Sequence, residues 1–239
     1  MKTFAFFVLA VLSCNCISQN LIKNGDFEDY TICPQGYTKS PIDTLIPHWF
    51  IPSQGTPDYY NFTCPMLDSS FYDNTLIPCS GKGCAGLYLG EMPLINTSRL
   101  STKTNQRFCR REYITGELNL PLQKDSVYVL TFKYFPANHS YYYIDSIGVF
   151  FSKGRFKKKR EEILKFKPQL IEKVDSNNVR WSTFSAIYTA SGKERFFTIG
   201  NFKDDFQTKY YDYISSHSVM YAKGAYFYID NVILSKLKF

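Results

Sequence analysis

The chain has 239 residues, a formal net charge of +7, 44% hydrophobic residues and 21% charged residues. That balance excludes a disordered chain or a coiled coil, and a mild, dispersed positive excess does not by itself call for nucleic acid. An aromatic content of 18%, with 21 Phe and 19 Tyr, favours pleated, half-buried surfaces and so a β-rich protein of one or two domains.

Residues 1–18 read MKTFAFFVLAVLSCNCIS. One Lys precedes an unbroken apolar run, Phe4 to Leu12, which is followed by small and polar residues, the pattern of a secretory signal peptide. The run is too short to span a bilayer. Cys16 and Ser18 suit the −3 and −1 positions, so cleavage is expected between Ser18 and Gln19. The alternative is lipoprotein processing at Cys14, against which Leu12 is bulky. The mature chain, 19–239, is then exported, to the periplasm, the cell surface or the medium, with no further membrane span. Its charge falls to +6 and its cysteines from 7 to 5.

Export makes those cysteines disulfide candidates. Cys79 and Cys84 flank Ser80-Gly81-Lys82-Gly83, a loop able to close a small ring. Cys33 and Cys64 each precede a Pro in irregular sequence and form a plausible second pair, leaving Cys109 single. Zinc is the competing reading, but there is no CxxC and there are only three His.

In chain order, Asn20–Glu28 reads as a short strand entering an Asn-Gly turn. Residues 29–84 are rich in Pro, Gly, Asp, Ser and Tyr, a long irregular stretch of the kind that carries function or is pinned by cross-links. Strand signals recur at Ala85–Leu89, Tyr113–Leu118, Ser126–Phe135, Tyr142–Ser152, Arg180–Thr189, Glu194–Asn201 and Ala225–Leu234. Within Val127–Phe135, the even and odd positions separate cleanly into two faces. The break at Gly154–Lys173, with RFKKKREEILKFKPQL, reads as a solvated loop or short helix. This spacing predicts an all-β, single-domain β-sandwich, a jelly roll closed by the first and last strands. GxSxG, Walker A and HExxH motifs are absent.

N-L-I-K-N-G-D-F-E at 20–28 and Y-I-D-N-V at 228–232 resemble the opening and closing strands of galactose-binding-like jelly rolls, which include many carbohydrate-binding modules. Between them lie P-H-W (47–49), G-T-P-D-Y-Y-N (55–61), G-L-Y-L-G (86–90), R-E-Y-I (111–114), Y-I-D-S-I-G (143–148) and I-G-N-F (199–202). Together these are similar to a family of exported surface domains of Gram-negative bacteria, over about residues 20–237. Against the larger members, the resemblance to 20–237 leaves no anchoring or sorting domain to be expected before Phe239. The resemblance implies a structural calcium ion held by Glu28 and Asp230, with backbone oxygens near Gly83 and Asp26 as a spare ligand. Calcium takes six to eight oxygen ligands, so the chemistry is reasonable. Alternatively, Glu28 caps a turn and Asp230 receives backbone hydrogen bonds at a strand end.

Sugars present flat C–H faces to aromatic rings and hydroxyls to polar groups. Trp49, Asp58, Tyr59, Tyr60 and Asn61 lie in the irregular first third, where binding residues concentrate. Arg111, Glu112, Tyr113 and Asp145 join them if their strands are neighbours. The competing reading has Trp49 and Tyr59 sealing a core edge, with core favoured over platform for Trp49, and Arg111 paired with Asp145 or Glu112. Paired acids such as Asp204-Asp205 exist, but no catalytic motif does. The expectation is therefore a non-catalytic module binding a glycan or another cell-surface component, with no nucleic acid. The alternatives are an adhesive protein that binds protein partners and, outside these, a glycoside hydrolase.

Overall fold

The computed structural model describes residues 19–36, 42–65, 76–91, 111–138, 140, 142–158, 163–175, 181–212 and 224–238. The expected signal peptide, Cys14 and Cys109 lie outside the described residues.

The described residues form twelve strands and one helical turn: α1 (Ile42–Leu45), β1 (Trp49–Phe50), β2 (Asp58–Asn61), β3 (Gly83–Glu91), β4 (Tyr113–Glu117), β5 (Val127–Pro136), β6 (Tyr142–Ile144), β7 (Ser146–Ser152), β8 (Leu170–Lys173), β9 (Ser182–Thr189), β10 (Phe196–Gly200), β11 (Tyr210–Asp212) and β12 (Gly224–Lys236). One antiparallel sheet has the order β1-β4-β10-β7-β8 and the other β2-β3-β12-β5-β9, while β6 and β11 form a small ribbon. From β3 to β12 the chain passes repeatedly between the two large sheets, which makes a β-sandwich. The predicted alternation in β5 sends Tyr128, Leu130, Phe132 and Tyr134 inward, where they join Phe184, Phe197, Phe227 and Ile229 between the sheets.

Four expectations are corrected. Asn20–Glu28 is no strand: after a single bridge, Ile22 to Leu118, it turns, with Asn24 and Phe27 at positive φ. It still closes the sandwich. Asn20 takes Leu234 N through its carbonyl and donates to Val232 O, while Val232 N donates to Gly25 O. Tyr142–Ser152 breaks at Asp145, because β6 leaves the large sheet to pair with β11.

The described part of the basic segment, 154–158 and 163–173, is neither a solvated loop nor a helix. It folds as a strap over the outer face of the first sheet and ends in β8. Phe166 stacks on Phe150 at 4.6 Å, Phe156 meets both rings, and Leu164 is fully buried. Arg155 lies 4.2 Å above the Phe50 ring. Gln169 makes two bonds to the Phe151 backbone, at 2.8 and 3.1 Å. The lysines face water while the rings between them bind the strap to the sheet.

Cys33 and Cys64 are joined, tying the segment before α1 to the end of β2. The expected Cys79–Cys84 bridge is not formed, and both are free thiols. Cys84 is a β3 residue opposite Tyr60, buried among Tyr60, Tyr226 and Tyr228, whereas Cys79 lies half-buried in the loop before it.

Candidate functional site

The aromatic residues expected to form a binding platform are interior. Trp49 is fully buried, stacked on Phe27 at 4.6 Å and edge-on to Phe197 at 5.6 Å, and its indole donates to Asn24 O. Tyr59 points into the same core and donates to Phe27 O; burial raises its pKa. Asn61 donates to the Tyr59 hydroxyl. Tyr60 turns to the outer face of the second sheet, where its hydroxyl lies 2.9 Å from that of Tyr226. Tyr226 in turn donates to Asp58 at 2.7 Å. Stacking on a sugar needs an open ring face, and Trp49, Tyr59 and Tyr60 present none.

Arg111 and Glu112 are adjacent but serve different partners. The Glu112 carboxylate accepts Thr56 N at 3.0 Å and Tyr88 N at 2.9 Å, fastening the loop before β2 to β3. Arg111 donates to Asp205 at 2.9 Å and Thr208 at 3.3 Å. Asp145 pairs with Lys203 instead, so neither expected Arg111 pair forms. Arg111 and Asp145 therefore grip one loop, residues 201–209, from two sides.

That loop builds one side of an open groove. Asn201 donates to Leu89 O and to the Thr208 hydroxyl and accepts Lys203 N, closing the loop's base. Asp204 accepts Phe206 N and Gln207 N, forming a tight turn that leaves Phe206 82% exposed. The Tyr113 hydroxyl donates to Asn201 O and accepts Leu164 N, so one side chain fixes both the loop and the strap. Burial pushes its pKa up to about 12.

Between loop and strap, across the ends of β7 and β8, lies a groove of about 310 Å³. Phe166 and Pro168 form one wall, Phe202 the other, and Ile171 part of the floor, with Ser146, Gln207, Lys167 and Lys203 supplying polar groups. Gly148 allows this close fit: a Cβ there would meet Phe202 at 2.9 Å and Pro168 at 3.2 Å. An apolar cleft with a few polar groups at its edge is the general form of a small-ligand site. Of the expected site residues only Asp145 stands at this groove, through Lys203. I-G-N-F (199–202) was visible as a motif without an assigned role. The strap's contribution was hidden in a charge run, where Lys165-Phe166-Lys167 was the available signal.

Glu28 and Asp230 both face the loop at 79–83. Glu28 accepts Lys82 N and Gly83 N, each at 2.7 Å. Asp230 accepts Ser80 N at 2.9 Å and Asn231 N at 2.6 Å. Gly81 has φ +53°, and a Cβ there would lie 2.2 Å from the Glu28 carboxylate. The loop thus turns amides toward the two acids, the arrangement of a turn cap and a strand-end acceptor. Among the described residues no third His, Cys, Asp or Glu joins them in a group that could hold a metal ion. Asp230 is fully buried, and burial, with the nearby Glu28 charge, pushes its pKa up to about 6.

No protein-family model matches the chain, and no curated protein matches it. Among solved structures it is similar to the enzymatically active domain of bacteriophage CBA120 tailspike protein 4, with 11% identity and a TM-score of 0.39. That match covers 91% of this chain and 21% of the tailspike chain, so the chain spans about a fifth of that protein. It is also similar to the second N-terminal cellulose-binding domain of Cellulomonas fimi β-1,4-glucanase C, with 11% identity and a TM-score of 0.35, covering 90% of this chain and 98% of that one. At these values the likenesses carry no inference about ligand or chemistry.

Proposed function

We propose that this chain is an exported, non-catalytic binding module whose ligand is a carbohydrate, acting at the cell surface or outside the cell. The observation that carries this reading is the groove between Phe166 and Phe202, which offers ring and aliphatic surface beside the polar groups of Gln207 and Lys203. A pyranose ring needs that combination, apolar contact for its C–H face and hydrogen-bonding groups at its edge. The non-catalytic part rests on the use of the neighbouring acids. Asp145 and Asp205 are ion-paired, and Asp204 caps its own turn. Among the described residues no helix is long and apolar enough to cross a membrane.

The same reading includes a structural calcium ion held by Glu28 and Asp230. When bound it would neutralise the two acids and fasten the N-terminal segment to β12, without a part in ligand chemistry.

The test is binding to a broad glycan array by the wild-type chain and by Phe202→Ala. Saturable binding to a defined glycan, reduced about tenfold or more in the variant (the affinity equivalent of roughly 1.4 kcal/mol), is the expected result. Absence of binding across the array, or equal binding by the variant, overturns it.

A further inference from the structure

We infer that the groove takes an acidic polysaccharide, one bearing uronate carboxylates; this rests on the carbohydrate reading above and narrows it to a substrate class. The residues lining the groove include Lys167 and Lys203 and no Asp or Glu. Lys173 adds a third cation at the rim. It follows Ile171 by two positions in β8, so both project from the same sheet face, and it is registered against Ser146 of the groove.

The acids nearby are turned to other work. Asp145 is matched by Lys203 and Asp205 by Arg111. The Asp204 carboxylate is taken by two amides of its own turn. Glu172, between Ile171 and Lys173, points away to accept Ser185 N on β9 at 2.6 Å. Lys167 and Lys173 make no ion pair among the described residues, and both are exposed. Among the described residues the lining of the groove therefore carries lysines and no acid beside an aromatic wall. A neutral glucan would satisfy the wall and leave the cations idle. A simple polyanion would satisfy the cations and leave the wall idle. A uronate polymer uses both, with a carboxylate and a C–H face on each residue.

The experiment compares polygalacturonate, its fully methyl-esterified form and polyglutamate as ligands for the full chain. It uses the wild type, Lys167→Glu/Lys173→Glu and Phe202→Ala, each checked for an unchanged melting temperature. Polygalacturonate should bind best and weaken several-fold when salt rises from about 0.05 to about 0.5 M, because exposed charges are screened. The double reversal should cost about tenfold or more for polygalacturonate, the scale of two like-charge contacts, and leave the esterified polymer unaffected. Equal, salt-insensitive binding of the esterified polymer overturns the acidic class while leaving the carbohydrate reading in place. Polyglutamate binding as tight as polygalacturonate, undiminished by Phe202→Ala, overturns both.

Discussion

Replacing Asp230 by Asn should remove a specific pH dependence from the stability of this protein. Asp230 sits on β12 with its carboxylate wholly out of solvent, taking Ser80 N and Asn231 N. Burial outweighs those bonds, and its neighbour Glu28 adds repulsion, so its pKa rises from 3.8 to about 6. The other groups beside it offset little of this. Lys133 is its cross-strand partner, and the thiols of Cys79 and Cys84 both have raised pKa, first by burial. Between these two pKa values the folded chain holds a proton that the unfolded chain releases. The contribution is thus full below the unfolded pKa and is lost as pH climbs through about 6. A rise of about two pKa units is worth about 3 kcal/mol, at 1.36 kcal/mol each. Glu117 works in the opposite sense. Burial raises its pKa, but hydrogen bonds from Lys23 and His48 bring it net below 4.5, so its contribution is lost on acidification. Because Glu117 is present in both proteins, it cancels in the comparison. Urea unfolding in chelator from pH 4, where part of that contribution is already gone, to pH 7.5 should show the wild type losing about 2 kcal/mol more than Asp230→Asn. Parallel curves would refute the reasoning. Repeating the series with excess calcium tests the cation: held by Glu28 and Asp230, it stabilises the ionised pair, raises the melting temperature and flattens the wild-type slope. An unchanged melting temperature removes calcium from this site.

Two further outcomes follow from the packing. Alkylation of the native protein, read by peptide mass spectrometry, should label Cys79 and leave Cys84 unlabelled until denaturant is added, with Cys33 and Cys64 recovered as one cross-linked peptide; a Cys79–Cys84 disulfide peptide would contradict the arrangement. Trp49→Ala should cost about 3–5 kcal/mol of stability, as expected for a large aromatic removed from a packed core. Loss of glycan binding with unchanged stability would return Trp49 to the role of a ligand platform.

The strands legible in the sequence were those whose two faces meet different environments. β5, β9 and β12 alternate or run apolar over eight residues or more, and each was placed to within a few positions. β1, β2, β8 and β11 are two to four residues long and carry no measurable period. They exist because the long strands offer an edge to pair with, which is tertiary information. The N-terminal segment fails as a strand for a local reason. Asn24 and Phe27 adopt positive φ, and the Asn20 side chain takes over hydrogen bonds that a regular ladder would have made.

The candidate site was harder to read because the residues of the irregular first third fit a core edge as well as a ligand platform; the core reading favoured for Trp49 holds, and Tyr59 and Tyr60 are buried with it. Trp49, Tyr59 and Tyr60 lie in irregular sequence, where loops are ordinarily at the surface. Here the Cys33–Cys64 bridge and the Glu112 bonds to Thr56 hold that sequence down, and its rings become core. An outright error befell 154–173. Its charges suggested a solvated run, yet Phe156, Leu164 and Phe166 clothe an outer sheet face that otherwise presents Phe150, Phe196 and Tyr113. The ambiguity and the error have one origin. A lysine's charge says only where its ammonium goes, and a ring's apolarity says only that it seeks cover; neither says which piece of chain supplies that cover. When the strap covers the sheet, its lysines necessarily gather along the strap's outer edge, and the groove opens where the strap meets loop 201–209. The cationic rim and the aromatic wall thus arise from the same folding event. A substitution that loosens the strap, Leu164→Ala among them, should therefore weaken both halves of the recognition together, whereas Lys167→Glu should weaken only one.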